Sequence, residues 1–442
     1  MAMDPMMMDP DEQLPIELGP ISNDEYVPPP QPPLLAEAER RARDLIDQQA
    51  RRRGMTRRRF LQTTMATAAV LLTLDACSAE EQASKGRSPG GRLRVPTEAT
   101  VEPDAAAEVL GGDEFVFDVQ THWLQYDLSQ PSGNFGSSFP QASCGLADPR
   151  ACFDIEHYLE ALFRDSDTTL AVVSAIPAAD YNGPLSTAIM AEGRDAAHRF
   201  CGDDRVILHG QALPAVGNLG AQLDAMSALV RDYQLGAWKV YTHVPNNWFL
   251  DDHDPRLPQV GGPFLQRVRE TGLKIVCVHK GFGAAVSDLG PAAAANPDIA
   301  FVAYHSGYEP GGFEGPYNPN GQGVDRFVRT VTENGPGPGK NVYAELGSTW
   351  FNVMREPETA AHVLGKALTA VGPSNVLWGT DSIWYGSPQP QIEAFRTFEI
   401  TPEYQERFGY PALTPEVKQQ ILGLNAARLY DITPRGARCA PR

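Results

Sequence analysis

The sequence predicts an α/β protein whose main part is a (β/α)8 barrel of the TIM type, preceded by a disordered N-terminal extension and a signal segment. Eight short apolar runs alternate with helix-like runs after residue 112, which is the pattern of such barrels. Several of these runs end in a histidine or an acid. The alternative is a doubly wound open sheet, which usually has a glycine-rich first turn, and no GxGxxG motif follows the first run.

The predicted strands are short and rich in β-branched and aromatic residues, and turn or helix signals separate them. The strands are expected at 115–120, 170–176, 206–211, 237–242, 274–279, 299–305, 342–346 and 376–379. Helices are expected at 155–165, 187–200, 219–233, 263–271, 324–333, 358–371 and 392–398, with an Ala-rich helical connection at 281–296 and closing helices at 414–430.

Length and charge limit the function classes. The chain has 442 residues and a formal net charge of −18. Residues 113–434 are enough for one complete barrel. The acidic balance argues against a nucleic-acid partner, which would need a basic face. Six cysteines are too few for a disulfide scaffold of this size.

The N-terminal part has three segments. Residues 1–54 are rich in Pro, Met and charge and have few large apolar residues, so we expect disorder. Residues 55–77 read MTRRRFLQTTMATAAVLLTLDAC. They have a basic region, a short apolar run and a cysteine, and they resemble a twin-arginine export signal. Residues 78–112 lack periodicity and are interpreted as a linker.

The end of the signal-like segment bears on localisation. Leu74 to Cys77 also resembles a lipobox, in which Cys77 would be lipidated, although Asp75 replaces the usual small residue. We therefore expect export by the twin-arginine route to the periplasm, either as a soluble protein or as a membrane-anchored lipoprotein.

Cys144 and Cys152 flank one loop. They are either two free thiols or a bridge formed in an oxidising compartment.

The polar residues at the strand ends are the candidates for chemistry, because active sites of barrels lie at the carboxyl ends of the strands. Gln120 and His122 follow the first strand, and Asp381 follows the eighth. His279 ends the fifth strand and His305 the sixth. Imidazoles and a carboxylate make a suitable set of ligands for a divalent metal. The sequence thus predicts a metal site of His122, His279 and Asp381, with Gln120 as a weak oxygen ligand and His305 as an acid/base or orienting group.

These residues resemble the motifs of the amidohydrolase superfamily, in the branch that includes aminocarboxymuconate-semialdehyde decarboxylase. The resemblance covers residues 115–430 and includes the closing NAARLY stretch at 425–430. Family members have Asp-x-His-x-His on strand one, one histidine each on strands five and six, and an aspartate on strand eight. The resemblance implies that His122, His279 and Asp381 bind the metal, that Asp381 also activates water, and that His305 is catalytic.

One position departs from the family pattern. Gln120 stands where the first histidine is expected, and an amide oxygen is a weaker zinc ligand than an imidazole nitrogen. Zinc is the expected metal. Manganese and a metal-free site are the alternatives that this substitution leaves open.

The predicted function is metal-assisted hydrolysis of an amide, ester or lactone of a small organic acid. Lys239, Trp350 and Trp384 are the predicted substrate-binding residues. A non-oxidative decarboxylase of an unsaturated or aromatic acid is the enzymatic alternative, and a non-catalytic binding lipoprotein with a degraded metal site is the other. The expected partners are the organic acid, the membrane through Cys77, and a second copy of the chain.

Overall fold

The computed structural model describes residues 13–125, 144, 146, 148–435 and 438–440. Eight parallel strands, β1 to β8, form one sheet in which each strand pairs with the next along the chain. The strands are Val116–Thr121, Thr168–Val173, Val206–Gln211, Leu235–Tyr241, Ile275–His279, Ala300–Tyr304, Val342–Glu345 and Val376–Leu377. Every predicted strand overlaps an observed one, and the predicted fold class is confirmed.

Hydrogen bonds between β1 and the end of β8 close the sheet into a barrel. The Val119 amide donates to the Trp378 carbonyl at 3.0 Å, and the Asp381 amide donates to the Gln120 carbonyl at 2.9 Å. Closure brings the carboxyl ends of all eight strands to one mouth. The strand ends that the sequence singled out therefore meet at one place.

Helices surround the strands and continue to the C-terminus. They are Ile155–Leu159, Glu160–Arg164, Thr187–Cys201, Leu219–Asp232, Gly261–Thr271, Leu289–Ala295, Val324–Thr332, Thr349–Val353, Pro357–Val371, Gln389–Thr397, Pro402–Phe408, Pro415–Gln419, Gln420–Leu424 and Asn425–Leu429. Short 3-10 turns lie at Pro149–Phe153, His305–Gly307 and Pro373–Asn375. Local sequence sets their limits: the Ser186 side chain accepts from the Ile189 amide at one helix start, and Gly202 ends that helix with φ 81°.

Two apolar clusters form the core. The inner one contains at least one residue from six of the eight strands, so it fills the barrel interior below the mouth: Phe117, Val119, Val172, Ala237, Cys277, Val302, Tyr304 and Leu377. The larger one lies between the strands and the surrounding helices. The core thus supports the strand ends from below and from outside.

The described part of residues 1–54 is ordered, which differs from the expected disorder. Residues 33–52 form the helix Pro33–Arg52, whose buried side includes Leu35, Ala38, Ala42 and Ile46. Their spacing of three and four residues makes one apolar stripe, which packs against the helix Thr64–Ser84. Half of these four residues are alanine, so a count of large apolar residues does not reveal the stripe.

The segment at 55–77 lies in the helices Arg57–Leu61 and Thr64–Ser84, and Cys77 is a buried free thiol. Among the described residues, we find no helix with the length and apolar character needed to cross a bilayer. The expected linker is partly regular: the strand Gly91–Leu93 pairs antiparallel with Phe398–Ile400, and Thr97–Thr100 and Pro103–Leu110 are helical. The twin-arginine signal remains a prediction.

Two disulfides tie the described parts of the chain together. Cys144 is bonded to Cys152, which decides between the two alternatives that the sequence left open. Cys201 is bonded to Cys439, 238 residues later. The second bridge fixes the C-terminal tail to the helix Thr187–Cys201 and had no signal in the sequence.

Candidate functional site

The five residues singled out at the strand ends are buried and lie together. The His122 Nε2 is 3.1 Å from the Asp381 Oδ1. The Gln120 amide nitrogen is 2.9 Å from the same oxygen and 3.4 Å from the His305 Nε2. The His279 and His305 rings have centroids 4.6 Å apart. A continuous chain of contacts thus joins residues from β1, β5 and β6 and from the segment after β8.

Backbone hydrogen bonds fix the orientation of two of the imidazoles. The His122 Nδ1 is 2.6 Å from the Ser174 carbonyl oxygen, and the His305 Nδ1 is 2.7 Å from the Gly347 carbonyl oxygen. Because a carbonyl oxygen only accepts, each Nδ1 carries a hydrogen. The His305 Nε2 then presents a lone pair to the site, whereas the His122 Nε2 faces the Asp381 Oδ1 at 3.1 Å. Metal-binding histidines commonly have this arrangement.

Left-handed backbone angles aim several of these side chains. His305, Ser348 and Asp381 have φ values of 67°, 54° and 59°, which is uncommon for residues other than glycine. Glu345 helps to hold the turn after β6, since its Oε2 accepts from the His305 amide at 3.0 Å. Such strain is often found at functional sites.

Asp381 is the most heavily hydrogen-bonded of these groups. It accepts from Gln120 at 2.9 Å, from the Asn23 amide nitrogen at 2.8 Å and from the Ser348 hydroxyl. Burial alone would raise the pKa of Asp381, but the hydrogen bond and charge of His122 outweigh burial and hold this pKa below its ordinary value. Asp381 is therefore ionised at neutral pH.

Two residues of the N-terminal segment enter the site, and sequence reasoning missed both. The Glu25 Oε1 is 3.7 Å from the His279 Nδ1, and its Oε2 is 4.0 Å from the His305 Nε2. Burial, with a smaller contribution from Asp381, raises the pKa of Glu25 to about 8. Asn23 is 1% exposed. Nothing local in the sequence connects residues 13–32 with the strand ends, so only the tertiary structure reveals them.

The donor groups suit a divalent cation. The ligand atoms of Glu25, His279 and His305 all lie within 4.8 Å of one another. Neither ring nitrogen of His279 has a hydrogen-bond partner among the described residues, although the side chain is buried, and buried polar atoms are rarely left without partners. Burial lowers the pKa of His279, and it lowers that of His305 to about 4. Both rings are therefore neutral, as metal ligands must be.

This cluster differs in composition from the predicted metal set. It adds Glu25 and includes His305, which the sequence assigned to catalysis. His122 and Asp381 lie beside each other. Gln120 turns its nitrogen towards Asp381, while its Oε1 has no partner among the described residues. Its role as a weak oxygen ligand stays a prediction, as does the complete ligand set.

The three predicted substrate-binding residues have different surroundings. The Lys239 Nζ is fully buried, 3.8 Å from the Tyr304 ring centroid, and has no hydrogen-bond acceptor among the described residues. Burial lowers the pKa of Lys239 to about 8. The Trp384 ring stacks on His122 with centroids 6.0 Å apart, so it lines the site.

Trp350 packs elsewhere. Its indole nitrogen donates to the Gln391 carbonyl at 2.9 Å, and its ring packs against Phe395 and Phe398. These contacts give Trp350 a packing role between the helices Thr349–Val353 and Gln389–Thr397. The expectation that it binds substrate has no support in these contacts.

The chain is similar to one family model and to several solved structures. A family model described as Amidohydrolase matches residues 117–432, and no curated protein matches the chain. Among solved structures, 5-carboxyvanillate decarboxylase from Sphingomonas paucimobilis is 14% identical, covering 72% of this chain and 100% of that one, with a TM-score of 0.46. A structural-genomics target from Pseudomonas putida, named for 2-pyrone-4,6-dicarboxylic acid hydrolysis, is 16% identical, with coverages of 72% and 97% and a TM-score of 0.42. The 2,6-dihydroxybenzoate decarboxylase from Rhizobium is 13% identical, covering 72% of this chain and 99% of that one, with a TM-score of 0.41.

Proposed function

Because the chain belongs to the amidohydrolase family, we propose that it is a metal-assisted hydrolase of an amide, ester or lactone of a small organic acid. The observation that supports this most is the buried Asp381 carboxylate, which is ionised and lies 3.1 Å from the His122 Nε2. A buried carboxylate beside an imidazole is a suitable acceptor for a proton from water.

The histidines and acids of the site would hold the metal, as zinc or manganese. When bound, such an ion polarises a carbonyl group and makes water more acidic. Asp381 then serves as the proton acceptor. In its present tautomer His305 presents a lone pair at Nε2, so it accepts a proton or binds a cation, and it cannot donate to an oxyanion until it is protonated.

The surroundings of Lys239 favour a substrate that carries a carboxylate. Its ammonium group is buried against aromatic rings and has no acceptor among the described residues. A buried cation without a partner is costly. A substrate carboxylate that reached this group would supply the missing partner.

Non-oxidative decarboxylation of a small acid is the second candidate, and a specific observation favours it. The Glu25 carboxyl group already lies between His279 and His305. A carboxylate of a substrate would be accepted in the same surroundings. The two reactions differ in proton balance: hydrolysis of an ester or lactone releases a proton, whereas a carboxylate that leaves as carbon dioxide is replaced by a proton taken up from solution.

This difference provides the test. The full chain is loaded with Mn²⁺ or Zn²⁺ and assayed against lactones, esters and carboxylated phenols in a weakly buffered pH indicator, with carbon dioxide measured in parallel. Acidification without carbon dioxide supports the hydrolase. Release of carbon dioxide supports the decarboxylase, with alkalinisation only until the carbon dioxide hydrates to bicarbonate and returns the proton. No turnover by the metal-loaded protein on the whole panel would overturn both and favour a binding protein.

We also propose export by the twin-arginine route. The support is chemical, because four of the six cysteines are paired in two disulfides, and stable disulfides are typical of oxidising compartments. Fractionation of cells that express the full chain tests this, and recovery only with the cytoplasm would overturn it.

A further inference from the structure

We propose that residues 22–26 are an internal stand-in for the substrate. The Glu25 carboxyl group occupies a subsite for a carboxylic acid that His279, His305 and Lys239 form, and the segment must leave before a substrate binds. This inference rests on the proposed function, since it names the substrate class, a carboxylic acid, and the regulation of the same site. We call residues 22–26 the plug segment.

The subsite has the composition expected for a carboxyl group. Each Glu25 oxygen faces a different imidazole, at 3.7 Å from His279 and 4.0 Å from His305. The Lys239 ammonium is near enough to interact electrostatically with the same carboxylate. His279 and Lys239 are buried and have no hydrogen-bond partner among the described residues. Groups of this kind are costly unless a ligand supplies what the protein lacks.

Asn23 closes the other half of the site. Its amide nitrogen lies 2.8 Å from the Asp381 Oδ2 and 3.3 Å from the Ser348 Oγ. The other Asp381 oxygen is already engaged by His122 and Gln120. Both oxygens of the proposed proton acceptor are thus occupied, so water or substrate reaches them only when Asn23 withdraws.

The plug segment is attached in a way that permits withdrawal. Residues 13–32 contain no helix or strand, so no β-ladder has to break. The Tyr26 hydroxyl donates to the Asn352 side chain at 3.2 Å, and Arg355 donates to the Gly19 carbonyl at 3.1 Å. Val27, next to the plug segment, is 73% exposed. The preceding Leu14, Ile16, Leu18 and Ile21 are buried in the core. Withdrawal is therefore confined to residues 22–26, which are held by polar contacts and by the Tyr26 ring against Phe282.

The first experiment compares variants of the full chain, with benzoate as the probe carboxylate and Mn²⁺ as the probe metal, both measured by titration calorimetry. Glu25→Ala, and the double variant with Asn23→Ala, should bind benzoate about tenfold tighter or more. In these variants the Glu25 side chain no longer occupies the subsite or competes with benzoate. Affinity for Mn²⁺ is measured in the same variants, because Glu25 lies among the candidate metal ligands. Val27→Ala is the matched control and should behave as the wild type.

Two outcomes would overturn the inference. Unchanged benzoate affinity in a folded Glu25→Ala protein would show that Glu25 does not occupy the subsite. A large loss of Mn²⁺ affinity in the same variant would make Glu25 a metal ligand instead of a substrate mimic.

A second measurement uses the wild-type chain and does not depend on the folding of a variant. Hydrogen exchange at the amides of residues 22–26 should become faster with saturating benzoate and remain unchanged with benzyl alcohol, which lacks the charge. Equal exchange in both cases would contradict the proposal. Benzoate-dependent release without turnover on the substrate panel would leave the subsite intact and remove only the enzymatic function.

Discussion

Asp381 and His305 combine an unusual backbone with a buried, polar side chain. Their φ values of 59° and 67° turn the chain sharply just after β8 and β6. The turn after β8 directs Asp381 towards His122. The turn after β6 places the His305 amide where Glu345 accepts its hydrogen bond. The energy stored in these angles is compensated by the hydrogen bonds that surround them.

Replacement of Asp381 by asparagine should leave the protein folded and lower kcat/KM by about 10²- to 10⁴-fold, because the amide has a similar shape but cannot accept the proton. Steady-state kinetics on whichever substrate the panel identifies measures this. Asp180→Asn, at an exposed loop position, is the control and should have full activity. Full activity of the Asp381 variant would exclude it as the proton acceptor.

Gln120→His should raise the affinity for Zn²⁺ by roughly tenfold or more, because imidazole nitrogen is a better zinc ligand than an amide. Competition with a chelating dye measures the affinity. Gln259→His, in an exposed loop, controls for nonspecific binding to an added histidine. No gain relative to this control would show that position 120 does not face the cation.

Much of the residue-level chemistry could be predicted from position along the strands. His122, His279, His305 and Asp381 were identified because each follows an apolar run, and parallel strands bring such ends together. Glu25 could not be identified, because its contact with His279 joins residues far apart in the chain. No local pattern encodes that contact.

At the scale of single elements, the barrel strands were predictable and the N-terminal helices were not. A buried parallel strand is a short apolar run, and several of the eight end in a polar residue, such as Ile275–His279 and Val342–Glu345. The helix Pro33–Arg52 has a narrow apolar stripe, half of it alanine, among many charged residues. Its stability depends on packing against Thr64–Ser84, which the composition of 1–54 alone does not indicate.

The contact between the helices Pro357–Val371 and Pro402–Phe408 should make stability depend on pH. His362 is buried there, and its Nδ1 is 2.9 Å from the Tyr410 hydroxyl. Burial, with smaller effects of Lys366 and Arg407, lowers the pKa of His362 to about 4. Between pH 6.5 and 4 the unfolded chain binds a proton that the folded chain does not, so the free energy of unfolding falls as the pH is lowered through this window.

Urea denaturation at several pH values measures the effect. His362→Gln should have a smaller loss of stability between neutral pH and pH 4 than the wild type. His198→Gln removes an exposed histidine and should leave the loss unchanged. Identical pH profiles for the wild type and the His362 variant would contradict the prediction.

At the scale of the whole molecule, the Cys201–Cys439 bridge joins the C-terminal tail to a barrel helix across 238 residues. Cys439→Ser should lower the free energy of unfolding by about 2–4 kcal/mol, since a long loop is no longer closed in the unfolded chain. Urea denaturation under oxidising conditions measures the difference. Cys144→Ser opens a loop of only 8 residues and should cost less; a larger cost for that variant would contradict the loop-length argument.

The order of segments along the chain has a consequence for the site. Glu25 precedes the signal-like residues 55–77, and the barrel follows them. A proteolytic cut within 55–77 would turn an intramolecular contact into an encounter between two molecules. Tethered groups meet at effective concentrations of roughly millimolar, and a severed fragment would lose that advantage on dilution. The intact precursor and the processed protein would then differ in how readily the barrel admits a carboxylate, and dilution would reveal the difference in the processed form alone.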